Sequence, residues 1–214
     1  MNQQSPITSS SGSRYEVVVF KVLIEKLVTK EKALCIGISE NENTNQLNTN
    51  QLLDIARNFS ESVLAFQFFN SSMIIDEFHL LSSAQNAVHA MQGGYMISRS
   101  LDVELAIYSS AQRQIGIALD MMGVKDNLST LCIVCINADE EDVRECLEAV
   151  TSRVGSVVSP MLVPTSEKIA SLMDVFGVSE GELNQFVERD NLISQSRALS
   201  RCIVSRVSMV ALGS

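Results

Sequence analysis

Tryptophan is absent, aromatic side chains make up 5% of the 214 residues, and there are only two histidines and three prolines. With so little histidine, acid–base and metal chemistry has few candidate groups. His79 and His89 fall ten residues apart on one expected helix, about 15 Å along its axis, and so cannot share a metal. Neither lies near a Ser or Cys in a nucleophile setting. Both glycine-rich phosphate signatures, G-x-G-x-x-G and G-x-x-x-x-G-K-[ST], are missing. No run of 18 uninterrupted apolar residues occurs, so no membrane-spanning helix is expected. Bases are also short, at 16 against 25 acids, and the net charge of −9 argues against a free-standing binder of duplex nucleic acid.

What is present points to one ordinary folded domain. Apolar residues make up 46%, too many for a disordered chain, and the length allows a sizeable single core. The five cysteines are odd in number and scattered, and Met1 to Ser13 lacks the basic start and apolar stretch of a secretory leader. Reduced thiols in a cytoplasmic protein are therefore expected.

Along the chain, residues 1–13 read as a disordered tail and 14–214 as the domain. Tyr15 to Ile24 has strand character, and Ala33 to Ile38 reads as a short strand or the end of a helix. Residues 39–50 carry five Asn in twelve positions and read as an insertion loop. A short helix is expected at 52–59, with strands at 63–69 and 73–75. Asp76 caps a helix over 77–92 that Gly93-Gly94 stop, and Ser100 caps another over 102–109. Ala111 to Met122 places Ile115, Ala118, Leu119 and Met122 on one helical stripe. Residues 129–136 (STLCIVCI) are apolar enough for a central strand covered on both faces. A helix over 140–153, a strand within 154–163, and helices over 166–176, 179–189 and 192–212 complete the pattern. Strands early and helices late favour an α/β (α+β) fold, a single domain with a mixed central sheet flanked by helices.

Two features could carry chemistry. Cys132-Ile133-Val134-Cys135 is a C-x-x-C, the spacing of a thiol oxidoreductase, but inside a strand the two sulfurs point to opposite faces. Structural thiols are the better reading, and no catalytic residue or metal site is assigned. The second feature is positive charge. Residues 101–187 hold 14 acids against 5 bases, whereas from Glu188 onward four arginines (Arg189, Arg197, Arg201, Arg206) face two acids. With Arg99 and Arg113 they read as solvated charge or as local anchors for phosphate.

From Glu77 onward the residues resemble a known family, the small kinase-binding (Cgi-type, or PRPK-binding) subunit of the KEOPS/EKC complex, in its archaeal form. Three blocks carry the resemblance. The first is Phe78-His79-Leu80-Leu81 with Ala87-Val88-His89. The second is Met96-Ile97-Ser98-Arg99-Ser100-Leu101-x-x-Glu104, similar to M-x-[TS]-R-[TS]-L-x-x-E, running on through Arg113-Gln114-Ile115 to Gly123-Val124. The third is Leu199, Ile203, Arg206 and Ser208 in the closing helix. Residues 93–97 carry no lysine where relatives often do.

The resemblance implies a mixed, largely antiparallel sheet. It also implies a non-catalytic, cofactor-free accessory subunit that docks on an atypical Bud-type kinase/ATPase and helps hold the tRNA 3′ CCA end while adenosine 37 is threonylcarbamoylated. The residues it implies for the kinase dock are Leu101, Leu199, Ile203 and Val207; those for tRNA are Arg99, Arg113 and Arg206. A charge at Ile203 would then abolish docking without unfolding the chain. The alternative is a homo-oligomeric structural or regulatory domain.

Overall fold

The structure, a computed structural model, describes residues 23–29 and 33–212. The expected tail at 1–13 and most of the strand expected at 15–24 lie outside the described residues; Leu23–Leu27 forms β1. Four strands make one sheet in the order β1-β2-β4-β3, with β2 at Leu34–Glu42, β3 at Ala65–Asn70 and β4 at Thr130–Asn137. Among the described residues every strand pairing is antiparallel, and the α+β class holds.

Alternation along the central strands sorts the core into two layers, because successive side chains point to opposite faces. Cys132, Val134 and Ile136 of β4 join Ile36 and Ile38 of β2 on one face. That face is covered by α2 (Glu77–Gly93), α3 (Leu101–Ser110) and α8 (Leu192–Met209). Leu131, Ile133 and Cys135 lie on the other with Cys35, Phe66 and Phe68. There α1 (Thr49–Ser60) and α5 (Glu140–Val154) complete the layer. Each fully buried Leu, Ile or Phe contributes about 1.5–3 kcal/mol relative to exposure. The close seat of α5 depends on Gly37, where an added Cβ would stand 2.5 Å from Val143 Cγ1 and 2.6 Å from Leu147 Cδ1.

The helix ends follow their local signals. Asp76 accepts from the His79 backbone N–H at 2.9 Å to start α2, and Gly94 ends it in the left-handed region at φ 70°. Three further helices, α4 (Ile115–Met122), α6 (Ser166–Phe176) and α7 (Glu180–Leu183), pack among these.

Several expectations need correction. The Asn-rich stretch 39–50 is a loop only over 43–48: β2 runs to Glu42 and α1 begins at Thr49. Its asparagines satisfy backbone and buried polar groups. Asn41 donates to Thr151 Oγ1 and to the Gly155 carbonyl, both at 3.1 Å, and Asn43 holds the Leu47 and Leu128 carbonyls. Asn48 caps α1 with Gln51 in a capping box. Residues 154–163 do not return a strand. Only Val157 bridges to Asn41, after which Pro160 and Pro164 lack ladder donors and the Leu162 N–H turns to the Glu40 carboxylate at 2.6 Å. Residues 73–75 leave a 3₁₀ turn (Ser71–Met73) without pairing. Ala111, at φ 53°, ends α3, so the next helix starts four residues later than expected. The helix expected over 179–189 shortens to α7.

Candidate recognition surfaces

The C-x-x-C lies in the middle of β4 with both thiols buried, Cys132 in one core layer and Cys135 in the other. Burial pushes the Cys132 thiol up, and the neighbouring Cys146 thiol together with burial pushes Cys135 up. Sulfurs on opposite faces of one strand cannot exchange with a common substrate, which removes the oxidoreductase geometry. His79 is buried, and its Nε2 lies 2.8 Å from the Ser109 carbonyl, so that nitrogen carries the proton and donates. Burial holds its pKa down to about 4. His89 lies 2.9 Å from the Gln85 amide on the same helix. The two histidines have different partners and share no site.

The most organised loop is the one between α2 and α3. Glu104, three residues into α3, has no solvent exposure, yet its carboxylate is fully used. It accepts from the Ile97 N–H with both oxygens at 3.1 Å, from the Ser98 N–H at 2.8 Å and from Ser98 Oγ at 2.7 Å. Charge-assisted bonds of this kind are the strong ones. They lock the loop so that Arg99, one residue beyond the clamp, stands exposed beside Ser100. Exposed Tyr95 is the loop's aromatic, its ring over Gly93, where a Cβ would collide with Cε1 and Cδ1. The spacing M-x-S-R-S-L-x-x-E thus has a physical meaning: the distant Glu fixes the backbone that presents the Arg.

The three tRNA candidates do not converge. Arg99 precedes α3 and Arg113 follows it, and a ten-residue helix is about 15 Å long. Arg113 donates to the Val210 carbonyl at 2.6 Å, tying the start of α4 to the end of the chain. Arg206 is committed to the fold. It holds Glu182 in a bidentate pair at 2.7 and 2.8 Å and donates to the Gly177 and Cys202 carbonyls. Its guanidinium keeps the Glu182 carboxyl below the usual range. That bracing of α6, α7 and α8 leaves Arg206 little to offer a phosphate.

The kinase-dock candidates do converge, but inward. Leu101, Leu199, Ile203 and Val207 are all buried in the layer between the sheet and the helices. A charge at Ile203 would therefore attack the core, contrary to the expectation that the fold survives it. Other apolar residues stay exposed: Met209 (59% exposed) and Leu212 (71%), which were not singled out from the sequence, and on α4 Ile117 and Ile115, the latter read from the sequence only as part of an apolar stripe. Helical periodicity marks which side of a helix is apolar; it does not mark which apolar tip stays in water. At the other end of α8, an apolar groove of about 660 Å³ opens between Phe78, Leu81, Val163 and Ile193.

The locked loop presents one exposed arginine, and the fold around it is a single α+β domain with an antiparallel sheet between two helical layers. The comparison with known sequences is more specific: the family model described as Kinase binding protein CGI-121 matches residues 26–211, and the chain belongs to that family. It is also 26% identical over 115 residues to the Regulatory protein Cgi121 of Methanocaldococcus jannaschii, a match covering 54% of this chain and 72% of that protein.

Proposed function

We propose that this chain is a non-catalytic accessory subunit that binds a kinase. The observation that carries the reading is the family match across residues 26–211, which takes in all the described α-helices. The partner we propose is the atypical Bud-type kinase/ATPase of the KEOPS complex. Within that complex the chain would help hold the tRNA 3′ CCA end during threonylcarbamoylation of adenosine 37, in the cytoplasm.

The contact surface we assign to the kinase is the exposed tip formed by Met209 and Leu212. Ile115 and Ile117, two and four residues beyond the Arg113–Val210 hydrogen bond, are assigned to the same surface. Leu101, Leu199, Ile203 and Val207 support it from below as the packed layer that positions α3 and α8. Exposed apolar side chains next to a rigid helix suit burial against a partner, at about 25 cal/mol per Å² before the costs of association. For tRNA, the proposed contact is Arg99 on its Glu104-locked loop, with Tyr95 as a stacking face for an unpaired base.

Co-elution of the full chain with purified kinase tests the dock. Met209→Glu with Leu212→Glu is expected to abolish the shared peak. Ile193→Glu, also exposed but 16 residues away on α8, about 24 Å along the helix axis, is expected to leave it in place. Equal binding by all three proteins would reject this surface.

A further inference from the structure

We infer that the pocket at the start of α8 binds a nucleotide, with Arg189, Arg197 and Arg201 as the ligands of its phosphates and Phe186 as the face on which its base stacks. These four side chains line one depression of about 530 Å³, within the size range of small-ligand sites.

The guanidinium groups single it out. Most described arginines are engaged: Arg57 with Asp54, Arg144 with Glu140, Arg153 over the Phe59 ring, Arg113 on the Val210 carbonyl and Arg206 on Glu182. The side chains of Arg189 and Arg197 have no hydrogen-bond or ion-pair partner among the described residues, in a chain with nine more acids than bases. Arg201 has only an exposed, loose pair with Glu188 at 3.6 Å, a contact worth little. Two uncommitted cations and one lightly held therefore face the same concavity.

Side chains, not a bare helix end, make the site. The first turn of α8 is capped by Asn191, which accepts from the Ser194 N–H, and Ser194 Oγ accepts from the backbone N–H groups of Glu188 and Arg189. Phe186, 39% exposed, and the neighbouring Ile193 supply apolar surface beside the cations. Guanidinium groups with an open aromatic face are the combination that binds nucleotide phosphates and bases together. Glu188 is the built-in competitor: it occupies Arg201 until a phosphate displaces it.

The source of the nucleotide is either a free nucleoside triphosphate or a single-stranded RNA, and both probes are titrated into the full chain at low salt: ATP, and a fluorescein-labelled hexaribonucleotide. Binding of either supports the inference and identifies the source. Arg197→Ala with Arg201→Ala is expected to weaken binding about tenfold or more, and Phe186→Ala by about fivefold or more. Glu188→Gln, which frees Arg201, is expected to tighten it by about two- to fivefold, a gain that a purely structural role would not produce. For RNA, each lost arginine should reduce the slope of log K against log salt by about 0.7. Arg144→Ala, exposed and paired on α5, should change nothing.

No binding of either probe overturns the inference, as does unchanged binding in the Arg197/Arg201 double variant. Equal competition by a polyglutamate peptide would make this an acidic-polypeptide site and also overturn it. RNA binding lost in Arg99→Ala but kept in the double variant would uphold the tRNA contact proposed above while rejecting this pocket.

Discussion

Glu104 and His79 are both buried polar residues, the first with its carboxylate fully hydrogen-bonded, the second with Nε2 paired and Nδ1 left without a partner. Glu104 is held by donors from Ile97 and Ser98, so its removal leaves two part-buried backbone N–H groups without their acceptor. Glu104→Ala is expected to cost about 3 kcal/mol in urea unfolding and to weaken any RNA contact made by Arg99, because the loop loses its clamp. His79 stays neutral. Its folded pKa of about 4 lies below its ordinary value of 6.5, so between those values the unfolded chain binds a proton that the folded chain does not. Its contribution is complete above pH 6.5 and drains away as pH falls toward 4, by about 3 kcal/mol over that window. Asp76, whose carboxyl burial pushes up, acts in the opposite direction. Unfolding curves of wild type and His79→Gln across pH 4–7 isolate the histidine: the variant keeps a donor for the Ser109 carbonyl and should lose most of the slope.

At the scale of elements, local signals were readable in the sequence and non-local ones were not. The caps of α2, Asp76 and Gly94, are neighbours of the helix they bound, and the apolar run of β4 announces a strand covered on both sides. The extension of β2 through Asn41 was hidden because its justification lies on α5 and just beyond, at Thr151 and Gly155, more than a hundred residues away. The missing strand at 154–163 has the same cause, since Glu40 captures the Leu162 N–H. Gly37 is the element-scale counterpart, a residue inside the stretch read as a short strand or the end of a helix, and it sets how closely α5 approaches the sheet. Gly37→Ala is expected to destabilise the protein by about 1–3 kcal/mol through overlap with Val143 and Leu147, measurable as a lower urea midpoint. If it were neutral, α5 would be free to shift outward.

At the scale of the whole molecule, the candidate site was legible in part. The order and spacing of three motif blocks pointed to the family, and Arg99 of the second block is exposed just before α3. The assignment of Leu199, Ile203 and Val207 to a surface failed because a stripe on a helix wheel reports burial, not what does the burying. Arg206 was misjudged because Glu182 lies 24 residues away. The charge distribution survives in sharper form: an acidic body, with uncommitted positive side chains at Arg99 and in the Arg189–Arg197 pocket. Such a chain should hold polyanions weakly by itself and serve mainly as a partner for protein.

Light scattering coupled to size exclusion, on this chain alone and mixed with the purified kinase, tests that claim most directly. The account predicts a monomer near 23.4 kDa alone and, in the mixture, one species with the summed mass of one copy of each. A dimer or higher assembly of this chain that persists beside free kinase would contradict it.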